Sequence, residues 1–251
     1  MSNEISPLNP ETIFTPNSES PAVPWSILDT AIGFGLFVLF MVGIGLAPLL
    51  LPDQGWVMSA YILTYQPLQF IPILIVLLLR GATWSDVGFR KATPNVLALG
   101  CGFLILSLGV NLVNNLVMLL LKVEVQAQQF SGIMGALDQP AFLLVAGILF
   151  APLFEEIIFR GFLFGGLRKR MGWVNAAVLS SAIFAAGHLS IAAFIPTFTL
   201  GFLFAYLYQR SNSIWPGIIM HTLVNSVGLC ALYVVTQYGG GMGAFGMIFG
   251  R

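Results

Sequence analysis

The chain is poor in charge, histidine and cysteine, and each shortage narrows the class of protein. Only 8% of its 251 residues are charged and the formal net charge is zero, whereas soluble domains carry about 25% charged residues. No basic stripe suggests a nucleic-acid partner, and none is expected. The two cysteines and two histidines, without CxxC, CxxH or HExxH spacing, indicate neither a disulfide framework nor a common zinc signature.

Apolar residues dominate the chain instead. They make up 57% of it, and the mean hydropathy is +0.91. Because a helix needs about 20 apolar residues to cross a bilayer, we predict an all-α, polytopic membrane helix bundle with about seven transmembrane helices. The predicted spans are 26–50, 56–79, 95–121, 141–166, 173–190, 193–209 and 213–236.

The ends of the chain and one pair of spans are less regular. The fifth and sixth spans are separated only by a short break at 187–192, so they form either two crossing helices or a broken, re-entrant pair. The polar, Pro- and Ser-rich stretch 1–24 is predicted to be a disordered tail. The Gly-rich stretch 237–251 is predicted to be a second tail, because it is too short to cross a membrane.

Basic residues in short loops predict the orientation of the bundle. Lys122 and Arg251 would lie on one side of the membrane. Seven basic residues follow the second, fourth and sixth spans and would lie on the other side: Arg80, Arg90, Lys91, Arg168, Lys169, Arg170 and Arg210. We therefore predict that the richer side is cytoplasmic, with a cytoplasmic N-terminus, in a plasma (inner) membrane.

The stretch FEEIIFRGFLFGGLRKR, residues 154–170, places two adjacent glutamates in an apolar run. A charge at the centre of a bilayer costs about 3 kcal/mol on insertion scales, so such residues usually have a function. Residues four apart share a helix face, which predicts an ion pair between Glu156 and Arg160. Glu155 points elsewhere and lacks that partner. The pair therefore divides into a structural glutamate and a chemically free one.

The two histidines of the chain also lie within predicted spans. His188 follows Phe184 by four residues, and Asn225 follows His221 by four residues. An imidazole and an amide are good donors to the oxyanion of an acyl-transfer reaction, while a glutamate with a second imidazole can activate water. No GxSxG nucleophile motif is present. This set of groups favours hydrolysis of an amide bond.

Five further amides lie in the second and third spans: Gln66, Gln69, Asn111, Asn114 and Asn115. Polar side chains in membrane helices often do no more than hold neighbouring helices together. We interpret these five in that way.

The motifs EExxxR, FxxxH and HxxxN occur in that order on successive spans. This ordered set resembles the CPBP family of CAAX prenyl proteases and bacteriocin-processing enzymes, the Abi group of intramembrane endopeptidases. It spans about 140–236, the catalytic core of the family, whereas the N-terminal half agrees only in general character, including its DVGFR segment. The resemblance implies N-terminal transmembrane helices over 25–140 and a catalytic core over 141–236.

The resemblance also implies residue roles. Glu155 with His188 would activate the attacking water, and His221 with Asn225 would stabilise the oxyanion. Three further residues would support the site: Glu156, Arg160 and Phe184. Phe184 would form part of its wall.

Metal dependence is left open by the resemblance, because the family has been described both as metalloproteases and as metal-independent glutamate proteases. Glu155, His188 and His221 would supply three zinc ligands, the usual number in a catalytic site. A metal would leave Asn225 and Glu156 less clearly explained. We expect catalysis without a cofactor, with zinc as the alternative.

The predicted function is therefore an intramembrane endopeptidase that acts on a membrane-associated protein or peptide within the lipid bilayer. Whether that substrate is prenylated is left open. One alternative is a non-enzymatic immunity or scaffold protein that retains the fold. Another is a proton-coupled transporter with Glu155 and the histidines as a relay, although the internal repeats common in transporters are missing.

Depth along the helices sets a further expectation. At about 1.5 Å per residue, Glu155 lies roughly 15 Å from an inner helix end at residue 165, and His221 roughly 12 Å from one at 213. His188 lies deeper, roughly 22 Å from residue 173. A water-filled cavity open to the cytoplasmic side would reconcile these depths with hydrolysis.

Overall fold

A computed structural model of the chain describes residues 21–51, 55–123, 126–135 and 137–238. Within these ranges the regular structure is helical and no strand occurs, which confirms the predicted all-α membrane bundle. The helices in chain order are α1 (Ile27–Gly45), α2 (Gly55–Leu79), α3 (Pro94–Leu120), α4 (Gln126–Gly135), α5 (Pro140–Met171), α6 (Trp173–Gly187), α7 (Ile191–Ser211) and α8 (Trp215–Tyr238). Most residues of the two predicted tails, 1–20 and 239–251, lie outside the described residues.

Six of these helices are long and apolar enough to cross a membrane: α1, α2, α3, α5, α7 and α8. The predicted fifth span is shorter than expected, because α6 has 15 residues and therefore a length of about 22 Å, less than a hydrocarbon core of about 30 Å. The predicted fourth span is longer than expected, because α5 continues to Met171 rather than ending at 166. The short helix α4 was not predicted.

The predicted break between the fifth and sixth spans is present as a tight turn. Helix α6 ends at Gly187, Leu189 takes a left-handed conformation with φ of 51°, and α7 begins at Ile191. The two helices run antiparallel, since the Trp173 ring lies 5.9 Å from that of Tyr206 at the far end of the hairpin. His188 therefore sits at the tip of a helical hairpin.

Helix α5 forms the axis of the bundle. Its segment Glu156–Phe164 is buried throughout, and Phe162 stacks on Trp25 at 5.5 Å. Gly33 of α1 lets this ring approach, because a Cβ there would collide with Phe162. Burying large aromatic rings in this way fixes α1 against α5 and holds the segment that follows Glu155.

The basic residues gather at one end of the bundle. Asp29 at the start of α1 forms an ion pair with Arg80 at the end of α2. At the same end, Arg168 donates to the Gln209 side chain at 3.1 Å, and the Arg90 carbonyl accepts from the Ser213 hydroxyl. These contacts link the ends of α1, α2, α5 and α7 with the loop that precedes α8.

The difference in depth between Glu155 and His188 disappears with the observed helix bounds. Glu155 lies 16 residues from Met171, or about 24 Å, and His188 lies 15 residues from Trp173, or about 22 Å. The estimate had placed the inner end of α5 at 165, six residues too early. Helix α8 begins deeper in the bundle than α6. His221 therefore lies at the level of Glu155 although it is only six residues after Trp215, the first residue of α8.

Candidate active site

The helix that carries both glutamates is not a regular α-helix. Two segments of α5, Ala146–Phe150 and Glu156–Phe164, are π-helical, and the α-helical turn Ala151–Glu155 separates them. π-helical turns are rare and concentrate at functional sites, because they rotate side chains away from their α-helical positions. Glu155 lies at the junction of the second π segment.

Pro152 explains how Asn225 is held. In the first π segment the Ala151 N–H bonds the Ala146 carbonyl, so the next N–H along the chain would bond the Gly147 carbonyl. Residue 152 is a proline and has no N–H to give. The Gly147 carbonyl instead accepts from the Asn225 side-chain amide at 2.8 Å. A backbone carbonyl inside a protein needs a hydrogen-bond donor. The hydrogen bond from Asn225 meets this need and joins α8 to α5.

Glu156 and Arg160 form the predicted ion pair. Arg160 Nη1 lies 3.0 Å from Glu156 Oε1, with side-chain exposures of 2% and 0%. Arg160 Nη2 donates to the Gly201 carbonyl at 3.2 Å, and its guanidinium lies 4.5 Å from the Phe184 ring centroid. Gly217 lets α8 pass close by, since a Cβ there would collide with the Glu156 carboxylate. The pair is therefore enclosed by α5, α6, α7 and α8.

Glu155 has different surroundings from its neighbour. Its side chain is 17% exposed, so solvent reaches it, whereas the side chain of Glu156 is sealed. The Gln66 amide donates to Oε1 at 3.4 Å. Oε2 lies 3.8 Å from His221 Nε2 and finds no hydrogen-bond partner among the described residues. One carboxylate oxygen of Glu155 thus accepts from Gln66, and the other is a buried acceptor that faces His221 without a hydrogen bond.

His221 lies between the two glutamates. Its Nδ1 is 3.4 Å from Glu156 Oε1, and its Nε2 faces Glu155. The ring packs against Phe204 at 5.4 Å and edge-on against Phe184 at 5.9 Å. Since carboxylate oxygens only accept, an N–H on either ring nitrogen faces an acceptor.

His188 reaches the site through Phe184. Its Nδ1 lies 2.9 Å from the Phe184 carbonyl, and because a carbonyl only accepts, Nδ1 carries the proton there. That tautomer leaves Nε2 as a proton acceptor. The imidazole packs edge-on against the Phe184 ring at 4.9 Å. The ring of Phe184 therefore touches both histidines and Arg160.

Gln66 was interpreted from the sequence as a residue that holds helices together, and its amide donates to Glu155 of a neighbouring helix. A polar residue beside Pro67 in an apolar span was the available signal, since proline interrupts the helix. Of the other amides, Asn114 donates to the Ala192 carbonyl at 2.7 Å and so does join two helices. Asn111 and Asn115 are exposed on α3.

The candidate zinc ligands do not form a metal site in this arrangement. Across the described part of the chain, no three His, Cys, Asp or Glu side chains converge on a point that would hold a metal ion. Zinc ligand atoms lie about 2.0–2.2 Å from the metal. Oε2 of Glu155 and Nε2 of His221 lie 3.8 Å apart. Zinc binding by Glu155, His188 and His221 stays a prediction.

The sequence of the chain is similar to that of a protein family and of two bacterial proteins. Residues 137–227 match the model of the family described as Type II CAAX prenyl endopeptidase Rce1-like. The chain is 25% identical over 164 residues to "Putative membrane peptidase YdiL" of Bacillus subtilis (strain 168), an alignment that covers 63% of this chain and 67% of that protein. It is 28% identical over 109 residues to "UPF0177 protein YxdF" of Lactococcus lactis subsp. lactis (strain IL1403), covering 43% of this chain and 59% of that protein. No solved structure matches the chain.

The family match falls on the part of the chain that builds the site. Residues 137–227 include all of α5, α6 and α7 and the first half of α8, and they contain the EExxxR, FxxxH and HxxxN motifs. Helices α1 to α4 lie before the matched segment. Gln66, which donates to Glu155, therefore lies outside the matched segment.

Proposed function

We propose that the chain is an intramembrane endopeptidase of the CPBP family, because residues 137–227 match a model of that family and the chain is similar to a putative membrane peptidase. It hydrolyses a peptide bond of a membrane-associated protein or peptide. The observation that carries this proposal is the unequal pair of adjacent glutamates. Glu156 is sealed and paired with Arg160, while Glu155 is partly exposed and has one oxygen without a hydrogen bond.

In the proposed reaction, Glu155 takes a proton from water as the water oxygen attacks the carbonyl carbon of the peptide. The free Nε2 of His188 helps to orient that water. The C–N bond of the tetrahedral intermediate then breaks, and Glu155 returns the proton to the leaving amine. General acid–base catalysis of this kind contributes about 10²–10⁴-fold to the rate.

The oxyanion of the intermediate is stabilised by His221 and Asn225 in this proposal. The Asn225 amide uses one hydrogen on the Gly147 carbonyl, which leaves its second hydrogen for the substrate. Preorganised donors of this type stabilise developing negative charge strongly in a site of low dielectric constant. Glu156 and Arg160 support the site by holding the Nδ1 side of His221.

We assign the basic end of the bundle, about 24 Å along α5 from Glu155, to the cytoplasmic side of a plasma membrane. The clustering of the basic residues at one end supports this orientation, because such residues are retained on the cytoplasmic side. The matched family is that of CAAX prenyl endopeptidases, so a prenylated peptide is the first substrate to test. Catalysis proceeds without a metal in this proposal.

Cleavage of a panel of quenched fluorescent peptides by the purified protein in detergent tests the proposal. The panel includes farnesylated CAAX peptides and their unprenylated counterparts, each assayed with and without a strong chelator. We expect cleavage that survives the chelator and is lost in the Glu155→Gln variant. Cleavage lost with the chelator would overturn the metal-independent mechanism. Equal cleavage by wild type and Glu155→Gln would overturn the role of Glu155, and the absence of cleavage throughout the panel would favour a non-enzymatic immunity or scaffold role.

A further inference from the structure

We propose that Gln66 is a positioning residue that holds the carboxylate of Glu155 in its working orientation, an inference that rests on the proposed function. Gln66 lies in α2, outside the segment 137–227 that matches the family model and outside all three motifs. The inference extends the active site to a helix to which neither the motifs nor the family match assigns a role.

The geometry divides the two carboxylate oxygens of Glu155 between different partners. Gln66 Nε2 donates to Oε1 at 3.4 Å, and Oε2 faces His221 Nε2 at 3.8 Å. The terminal torsion of a glutamate is broad and nearly two-fold, so an unheld carboxylate exchanges its oxygens freely. A donor on Oε1 reduces that freedom and keeps Oε2 on the side of His221, where the proposed base must act.

Helix packing alone does not explain why a glutamine occupies position 66. Its side-chain oxygen Oε1 is buried and has no hydrogen-bond partner in the described residues. Leaving a buried acceptor unpaired is costly, so an apolar side chain would serve packing better. The amide also donates to a carboxylate, and such charge-assisted hydrogen bonds are stronger than neutral ones. The observed arrangement favours a role directed at Glu155.

The backbone of α2 is fixed beside the catalytic helix. The Phe70 ring lies 5.5 Å from that of Phe154, the immediate neighbour of Glu155. Pro67 and Pro72 lie on either side of Phe70, where α2 departs from regular helix. A positioning residue must itself be held in place to act through another group, and these contacts hold Gln66.

Gln69 provides a matched control on the same helix. It is buried, whereas Gln66 is half-buried, and its side chain hydrogen-bonds Tyr65 rather than Glu155. Methionine is close to glutamine in size and has no amide donor, so Gln66→Met and Gln69→Met each remove one side-chain amide from the same helix. A purely structural effect would appear in both variants.

The experiment compares kcat, KM and the midpoint of thermal unfolding for wild type, Gln66→Met and Gln69→Met, all on the peptide that wild type cleaves. We expect Gln66→Met to lower kcat about tenfold, the value of a hydrogen bond to a charged group, while KM changes less than about twofold. Gln69→Met is expected to keep the wild-type kcat, and both midpoints should shift by similar amounts.

Two results would overturn the inference. One is a wild-type kcat in Gln66→Met, and the other is an equal loss of kcat in both variants. Glu155→Gln is measured in the same series. If that variant is inactive while Gln66→Met is fully active, the positioning role fails and the proposed function stands. If Glu155→Gln is fully active, the proposed function itself fails.

Discussion

Helices α3 and α5 have nearly equal mean hydropathy in their most apolar windows, 2.3 and 2.1, but they occupy different places in the bundle. Only 11% of the α3 window is buried inside the protein, against 44% of the α5 window. Helix α3 is exposed along most of its length and is anchored by Asn114. Helix α5 is the axis of the bundle and carries the glutamate pair.

The difference shows that hydropathy locates a membrane helix but does not reveal its surroundings. Lipid tails are as apolar as leucine, so burial in the protein gives no hydrophobic signal within a membrane. The charged residues carry that information instead. A buried Glu156 with its own Arg160 requires enclosure by protein, and α5 is the helix that supplies it. The predictions below test this contrast between an enclosed helix and a lipid-facing one.

The largest stability effect is expected from Arg160→Leu on α5. This change leaves the Glu156 carboxylate buried without its cation, and breaking a buried pair costs about 3–5 kcal/mol. Thermal unfolding in detergent measures the loss. Arg170→Leu, at the exposed end of the same helix, is the control and should unfold close to wild type. Equal stability of the two variants would contradict the enclosure of α5.

A smaller effect is expected from Gly217→Ala, which tests the fit of α8 against Glu156. The new methyl group would collide with the carboxylate, and overpacking of this kind costs about 1–3 kcal/mol. Gly228→Ala on the same helix is the matched control, since a Cβ there meets no atom within 4 Å. The difference between the two unfolding midpoints is the measurement. If it vanished, α8 would not pass Glu156 as closely as described.

The smallest effect is expected on the lipid-facing helix. Asn114→Leu removes the hydrogen bond from α3 to the Ala192 carbonyl, and such contacts between membrane helices are worth about 0.6 kcal/mol and at most about 1.7. Asn111→Leu, on the exposed side of α3, should leave the unfolding midpoint unchanged. A loss as large as that of Arg160→Leu would remove the distinction between α3 and α5.

The sequence predicted the parts of this structure that depend on periodicity. The spans follow from runs of apolar residues, and the Glu156–Arg160 pair follows from residues four apart on one helix. The break between the fifth and sixth spans, at His188, was also visible in the sequence. These features are local, so a single stretch of chain contains the information that specifies them.

The sequence did not predict features that depend on contacts between distant helices. The anchoring of Asn225 requires the π-helical geometry around Pro152, which frees the Gly147 carbonyl. The contact between Gln66 and Glu155 joins residues 89 positions apart. The predicted fifth span overran α6 by three residues, because the left-handed backbone turn at Leu189, which ends the helix, is not visible in the run of residues.

The measurement that tests the central claim most directly is a comparison of Glu155→Gln with Glu156→Gln in one preparation, by peptide cleavage and by thermal unfolding. Glu155→Gln is expected to lower kcat by about 10²–10⁴-fold while its unfolding midpoint stays near wild type, because its side chain is partly exposed and has no arginine or lysine partner. Glu156→Gln is expected to lower the midpoint, because Arg160 loses its partner. Wild-type cleavage by Glu155→Gln, or a loss of stability that falls on Glu155 rather than Glu156, would contradict the division between a catalytic and a structural glutamate.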